Sequence, residues 1–435
     1  MRSLFFGGVH PGGRKELSAD VPLTAMALPA QAAVLLRQHI GAPCTPLVSV
    51  GDPVRVGQKI GDGGGLCVPV HAPVSGVVEA IEDRPHPGGG LCPAILIKND
   101  FLDTPDPSLQ PHSHPERLSS EELVSIIREA GIVGMGGAAF PTDVKAKTGM
   151  SQADTVILNA CECEPYITAD DVLLRARPGD VLRGLELIAR ILLPSRVVVA
   201  MEDNKAQAAA VVREHLSAFP SMELLVLPTR YPQGAEKQLI QAVTGRQVPS
   251  GGLPKDVGCA VFNAATAAAV YRAVYEGMPA IERVVTVTGE GVKQPRNLVV
   301  RVGVSFLEIL AAAGGLTDDV WKVLSGGPMM GVAQGDLSVP ITKSTNAIVC
   351  LSNAQNGESA HPVCIRCGKC LEVCPMRLEP LYLYRYSTAG DLDALRRLHL
   401  ADCIECGCCA YACPGKVPLV EGFRAGKRAL KEGAK

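Results

Sequence analysis

Aromatic residues are scarce in this 435-residue chain: they make up 4%, with a single tryptophan. Large aromatic clusters therefore do not pack its cores. Abundant glycine (45) and proline (33) point instead to many turns and close backbone approaches. A charge of one sign is missing too. Lys+Arg (42) and Asp+Glu (44) nearly cancel, which gives no support for a nucleic-acid partner. No apolar stretch reaches the roughly 18 residues of a membrane span. The best, Leu185 to Ala200, is broken by Glu186, Arg190, Pro194 and Arg196. Nothing at the start reads as a signal peptide, because Gly-Gly-Val-His-Pro follows Leu4, Phe5 and Phe6 at once. The expectation is a chain soluble by itself, in a reducing interior, that meets a membrane only through partners. An apolar content of 47% is ample for packed cores, and length alone suggests about three domains.

Cysteine is plentiful. Eight of sixteen cysteines fall into two copies of one spacing, Cys364-x2-Cys367-x2-Cys370-x3-Cys374-Pro375 and Cys403-x2-Cys406-x2-Cys409-x3-Cys413-Pro414. This is the bacterial ferredoxin run, which holds [4Fe-4S] clusters through thiolates. Three cysteines at two-residue gaps curl the backbone around one cluster, and the fourth of each run reaches the other cluster. The expected ligand sets are Cys364, Cys367, Cys370 and Cys413 for one cluster, and Cys403, Cys406, Cys409 and Cys374 for the other. Cys408 is off the spacing and is read as a non-ligand. Zinc also suits Cys-x2-Cys, but it does not call for four cysteines closed by proline, twice. Two clusters imply one-electron transfer.

The rest of the chain divides by pattern. Residues 1–110 read as a β-rich, barrel-sandwich-like domain, with alternating strands around 46–60 and 71–81. A swinging-arm carrier of that type needs a lysine at its hairpin tip. None lies between Lys59 and Lys98, so a packing or docking role is expected. Pro105 to Pro115 is a linker whose His112 and His114 are read as solvated. Ser119-x-x-Glu122 is a capping box opening a helix through Ala130. Strand–helix alternation follows, with strands at Thr155–Leu158, Arg196–Ala200 and Leu224–Leu227 and helices at Asp180–Leu192 and Lys205–Leu216. That makes 118–282 an α/β domain with parallel strands. Residues 283–345 read as a small β-grasp-like domain, its helix Phe306–Ala313 ended by Gly314-Gly315. Residues 355–425 read as a helical two-cluster ferredoxin module. Cys44, Cys67, Cys92, Cys259 and Cys350 are read as buried small hydrophobes.

A second cofactor is suggested by Gly131-Ile-Val-Gly-Met-Gly-Gly-Ala-Ala-Phe-Pro-Thr142, which follows a helix and ends near Lys145. Glycines let main-chain N–H groups approach an anion, and the lysine adds charge. Asn159-Ala-Cys-Glu-Cys-Glu-Pro-Tyr166 stands at the end of the first α/β strand, where open sheets bind ligands.

These segments carry a resemblance. Over nearly its whole length the chain resembles the NADH-oxidising flavo-iron–sulfur subunit of the Rnf-type electron-transport complex. The landmarks are Gly7-Gly-Val-His-Pro, Lys15-Glu-Leu-Ser, Gly134-Met-Gly-Gly-Ala-Ala-Phe-Pro-Thr142 and Glu162-Cys-Glu-Pro-Tyr-Ile-Thr-Ala-Asp-Asp171. Tyr231-Pro-Gln-Gly-Ala-Glu-Lys-Gln238, Pro249-Ser-Gly-Gly-Leu-Pro254, Gly326-Gly-Pro-Met-Met-Gly331 and the double cysteine run complete them. The middle is also similar to the flavin-bearing subunit of respiratory complex I. That resemblance makes Gly134, Gly136, Gly137, Lys145, Asn159 and Glu162 FMN contacts, with Asn263 and Thr266 in a further flavin segment. It places Phe140, Glu164, Tyr231 and Glu236 around NADH. Two departures stand out: an arginine of the complex I loop is Met135 here, and the acidic residue after Asn-Ala is Cys161. The small domain resembles a ubiquitin-like ligand-binding module.

The function implied is NADH oxidation through FMN, with electrons passed singly through two [4Fe-4S] clusters to membrane subunits or ferredoxin. The expected place is peripheral, on the cytoplasmic side of the cell membrane. No acid–base catalytic residue is called for, since the chemistry belongs to the cofactor. The competing expectations are a soluble protein feeding an amino-acid reductase such as proline reductase, and a ferredoxin-like carrier with an inert flavin fold.

Overall fold

The computed structural model describes residues 5–432, so Leu4 lies outside the described residues. Strands Gln31–Leu35, Leu91–Asn99, Gly76–Pro85 and Pro53–Val54 form one sheet, faced by Thr45–Pro46, Lys59–Asp62 and Val70–His71. Alternation turns Ala32, Val34, Ile95 and Ile97 inward onto Ile60, Val70 and Val74, which makes the barrel-sandwich core. Glycine is required at the Gly76 crossing. Its φ is +149°, and a Cβ there would stand 1.9 Å from the Lys98 carbonyl oxygen.

The α/β domain holds a four-stranded parallel sheet in the order Met222–Leu227, Arg196–Glu202, Thr155–Ala160, Cys259–Asn263. The chain winds outward from Thr155–Ala160 in one direction, then returns to add Cys259–Asn263 on its other side. That reversal is a topological switch point, and ligand crevices open at the carboxyl ends of the strands beside it. Asn159 and Asn263 are register partners at those ends. Helix Pro178–Leu192 packs on Ala264–Tyr275 so closely that a Cβ on Gly184 would lie 1.8 Å from the Ala267 carbonyl oxygen. The capping box is present, with Ser119 and Glu122 bonded reciprocally at the start of helix Ser120–Glu129.

The third sheet departs from the expected boundaries. Its order is Leu23–Ala25, Arg296–Arg301, Glu282–Thr288, Ala347–Ser352, Val320–Ser325, Val332–Ala333. Leu23–Ala25 comes from within 1–110, yet pairs in parallel with Asn297–Val299. Ala347–Ser352 lies past 345, yet is a central strand, with Ala347 opposite Thr286. Both corrections have one cause. The apolar row of Val285, Val287, Leu298 and Val300 needs a complete sheet and the helix Phe306–Ala312 to cover it, and the chain supplies strands from either side. Residues 7–9 then run between the α/β domain and the C-terminal module: Val9 bridges Tyr231, and the Gly8 amide donates to the Val373 carbonyl at 2.9 Å.

The C-terminal module is helical, with helices Pro380–Ala389, Leu392–Arg397 and Leu419–Glu432 packed through Leu383, Leu395, Leu400 and Phe423. Among the described residues, no helix is long and apolar enough to cross a membrane.

Candidate flavin and iron–sulfur sites

The two cysteine runs impose the same backbone twice. Arg366 and Glu405 (φ +57° and +55°) sit between the first and second cysteines. Gly368 and Gly407 (φ +80° and +77°) follow the second, and Arg377 and Lys416 (φ +55° and +51°) lie three residues past the fourth. These left-handed residues fold each run into a cup. They also aim backbone amides at sulfur: Arg366 N–H to Cys364 Sγ at 3.4 Å, Glu405 N–H to Cys403 Sγ at 3.4 Å and Leu378 N–H to Cys374 Sγ at 3.3 Å. Such donors stabilise negative sulfur.

The sulfurs group across the runs. Cys370 interacts electrostatically with Cys413 and Cys364, whereas Cys403 and Cys409 interact with Cys406 and Cys374. Cys374, Cys403, Cys406 and Cys409 line one pocket, together with Leu378, Leu383 and Phe423. Cys408, off the spacing, is fully buried and lines the same pocket. Among the described residues, no three of the eight run sulfurs converge within 4.8 Å. Four thiolates per group, gathered across two ferredoxin-type runs, are a donor set that fits [4Fe-4S] ligation.

The two groups differ in exposure. Cys364 and Cys367 are exposed, beside Val363 and Ile365 at 63% and 62% exposure. The second-run loop instead packs against the rest of the protein. The Tyr231 hydroxyl donates to the Cys406 carbonyl at 2.7 Å, and Val9, Tyr231, Met329 and Cys163 enclose Cys406 and Cys408. A Cβ on Gly407 would stand 2.7 Å from the Met329 carbonyl oxygen.

At the switch point, the glycine loop crosses the ends of two strands. Gly136 lies against the Asn263 side chain, and the Met135 amide donates to the Thr266 hydroxyl at 2.9 Å. Among the described residues, the amides of Gly136, Gly137 and Ala138 donate to no other group of the protein, and the space around Gly137 is open. Free amides on an open glycine turn are the donor set a phosphate needs. Lys145 pairs with Glu236 (Nζ to Oε1 2.5 Å) and stands over the Phe262 ring, while Asn159 Nδ2 donates to the Gly234 carbonyl at 2.8 Å. Phe140 is half-buried at the end of the loop. Contacts thus bring Gly134, Gly136, Phe140, Lys145, Asn159, Glu236, Asn263 and Thr266 to the carboxyl ends of these two strands, beside the open turn at Gly137, and the free amides there are a donor set that would suit the phosphate of FMN.

The three remaining expected residues have other partners. Glu162, at φ +42°, turns its carboxylate onto the amides of Asp170 and Asp171 at 2.6 and 3.3 Å, and so holds the start of helix Ala169–Ala176. Glu164 accepts from the Met329 amide at 3.2 Å, and its enclosure pushes the carboxyl up to about 7. Tyr231 is spent on Cys406. Glu164 and Tyr231 therefore face the second cysteine run.

Three charged residues went unnoticed in the sequence. Lys15 Nζ donates to the carbonyls of Glu162 and Glu164 at 2.9 and 3.0 Å, and to that of Ile167, clamping this loop. Its landmark Lys-Glu-Leu-Ser was visible, but not its reach of about 150 positions. Asp170 is buried and accepts from Asn263 Nδ2 at 2.6 Å. Arg283, buried in the third domain, donates to the Met135 carbonyl at 3.0 Å. A guanidinium thus stands beneath the glycine loop even though Met135 replaces the arginine of the complex I pattern.

Comparison with known proteins agrees with this geometry domain by domain. The family model of the RnfC barrel sandwich hybrid domain matches residues 3–102, that of the Nuo51 FMN-binding domain 127–272, that of the SLBB domain 284–333, and that of the 4Fe-4S dicluster domain 359–414. The C subunit of the Na(+)-translocating ferredoxin:NAD(+) oxidoreductase complex of Acetobacterium woodii is 43% identical over 98% of this chain and 97% of its own length. The chain belongs to the RnfC family. The proton-translocating counterpart from Clostridium ljungdahlii is 42% identical over 88% of this chain and 84% of its own length. The C subunit of the ion-translocating oxidoreductase complex of Rhodobacter capsulatus is 42% identical over 98% and 83%. Among solved structures, the NAD+-reducing [NiFe]-hydrogenase in its air-oxidised state shares the fold, with a TM-score of 0.53 and 20% identity over 73% of this chain and 64% of that one.

Proposed function

We propose that this RnfC-family chain oxidises NADH at an FMN held in the switch-point crevice and relays electrons through two [4Fe-4S] clusters to partner subunits of an ion-translocating ferredoxin:NAD(+) oxidoreductase complex. When bound, FMN takes a hydride and gives up its electrons singly, and a cubane takes one electron at a time. The amides of 136–138 hold phosphate, Lys145 supplies charge, and Asn159 and Asn263 line the crevice where the strands part. Cys403, Cys406, Cys409 and Cys374 ligate the cluster next to the α/β domain. Cys364, Cys367, Cys370 and Cys413 ligate the cluster at the outer face, where exposed Val363 and Ile365 give a partner an apolar foothold. Peripheral attachment to the cytoplasmic face of a membrane follows from such partners.

The observation that carries this reading is the Tyr231 hydroxyl on the Cys406 carbonyl. It fixes the second cysteine cup to the domain that bears the crevice. Anaerobic purification, with flavin, iron and acid-labile sulfide counted and NADH:ferricyanide activity measured, tests it. About one FMN and two cubanes per chain with NADH oxidation is the expected result. Cubanes with neither flavin nor NADH oxidation would leave only a ferredoxin-like carrier.

A further inference from the structure

The barrel-sandwich domain has no part in the relay just proposed, yet it gathers three metal-ligating side chains. His39, Cys44 and Cys67 are buried at 7%, 5% and 4% exposure, and a ring nitrogen and the two sulfurs all lie within 4.8 Å of one another. The two Sγ atoms stand 3.5 Å apart. That is far outside a disulfide bond of about 2.05 Å. It is close to the roughly 3.8 Å edge that two thiolates take on a tetrahedral zinc with Zn–S bonds near 2.3 Å. The surroundings leave room for sulfur and a way in. A Cβ on Gly63 would meet Cys67 Sγ at 3.0 Å, so glycine there spares the thiol its space. Gly64, Gly65 and Leu66 form an exposed turn directly before Cys67. The Lys343 ammonium is buried close by, bonded to the Pro69 and Gly131 carbonyls at 2.6 and 2.7 Å.

We propose that His39, Cys44 and Cys67 bind a zinc ion that pins the loop after strand Gln31–Leu35 to the loop after strand Lys59–Asp62, with the two sulfurs as anchors and His39 as a third ligand. Binding releases one proton from each thiol, and the resulting two thiolates balance the charge of Zn²⁺. Cys44 gives up its present bond to the Val68 carbonyl, 3.2 Å away. His39 also exchanges a partner. Its Nε2 accepts from the Val68 amide at 2.8 Å, while buried Nδ1 has none. In that tautomer the ring hydrogen is on Nδ1, so either nitrogen can take the metal only by releasing the Val68 bond. The sulfurs therefore carry most of the affinity. A fourth position is left to water.

The test uses the full chain with its clusters in place, stripped of loose metal and titrated anaerobically with Zn²⁺ against a chromophoric chelator, then with Co²⁺ as an optical probe. One zinc per chain beyond cluster iron is expected, with sulfur-to-cobalt charge-transfer bands. The Cys44→Ser/Cys67→Ser variant should bind at least about 100-fold more weakly and lose the bands, and His39→Ala about tenfold more weakly. Should the double variant not fold, the wild-type cobalt spectrum decides alone, because its intensity counts thiolates. Three results would each overturn the site: no zinc beyond background in the wild type, equal zinc in the double variant, or a Cys44–Cys67 disulfide in the anaerobically purified chain.

Discussion

Replacing Tyr231 with phenylalanine removes one atom from the join between the α/β domain and the second cysteine run. The ring is 2% exposed and packs on Val9 and Met329, contacts that phenylalanine keeps. What goes is the hydroxyl that donates to the Cys406 carbonyl at 2.7 Å. The carbonyl is enclosed, so it is left without a partner, at a cost of about 1–3 kcal/mol. At about 1.4 kcal/mol per factor of ten, the 403–409 loop should open roughly 5- to 150-fold more often. Amide hydrogen exchange reads that opening directly. Amides of 404–409 should exchange faster by that factor, while strand Thr155–Ala160 keeps its wild-type rate. In the loaded protein, cluster reduction by NADH should slow, with flavin reduction unchanged. A loop exchanging within twofold of wild type would refute the idea that this bond seats the cluster. An equal acceleration in every domain would show that the hydroxyl serves the whole fold instead.

Three further outcomes follow from other contacts. Cys374→Ser should damage the cluster of the second run, because Cys374 stands with Cys403, Cys406 and Cys409; electron paramagnetic resonance showing loss confined to the first-run cluster would contradict the crossed ligand sets. Gly184→Ala should lower the stability of the α/β domain by about 1–3 kcal/mol in chemical denaturation despite alanine's better helix propensity, since its Cβ would drive into the Ala267 carbonyl; an unchanged midpoint would show that the two helices separate freely. His71 is buried, and burial holds its ring neutral well below its ordinary value of 6.5. The unfolded chain therefore takes up a proton below pH 6.5 that the folded one refuses, and stability falls as pH drops through that window, by at most about 1.4 kcal/mol per pH unit. His71→Gln should flatten that slope, and identical slopes in the two proteins would exclude His71 as its source.

Features whose cause lies within a few residues were legible in the sequence. The cysteine cups are an example: two-residue gaps with glycine after the second cysteine determine the local turn, and Gly368 and Gly407 both take the left-handed conformation that this requires. The strand–helix alternation and the Ser119–Glu122 box are local in the same sense. Contacts between distant segments were not legible. Leu23–Ala25 has only three residues to signal a strand, and nothing in them names Arg296–Arg301 as its partner. Lys15, Arg283 and Lys343 look like surface charges in the sequence. Each is instead held by backbone carbonyls from a different domain, and a carbonyl leaves no mark on the residue type that carries it.

The same distinction explains where the nucleotide assignments diverged. Residue type alone makes Glu164 and Tyr231 plausible partners of NADH, because a carboxylate and a phenol can each bond a ribose or an amide. In the structure both already have partners within the protein. The Glu164 carboxylate is capped by the Met329 amide, and the Tyr231 hydroxyl by the Cys406 carbonyl. Met329 belongs to the Gly326–Gly331 landmark of the third domain, which closes over the second cysteine run through Gly407. Other domains thus pack on that cup, whereas in the first run Cys364 and Cys367 remain exposed. A thiolate cup packed by other domains has low polarity and little freedom to rearrange, while an exposed one is hydrated and accessible. Burial and hydration are levers on cluster potential, so the two cups should hold their clusters at different potentials even though their spacing is the same. A redox titration resolving two steps that move closer together in Tyr231→Phe would support that order. Two clusters titrating together, unmoved by the substitution, would mean that enclosure does not set them.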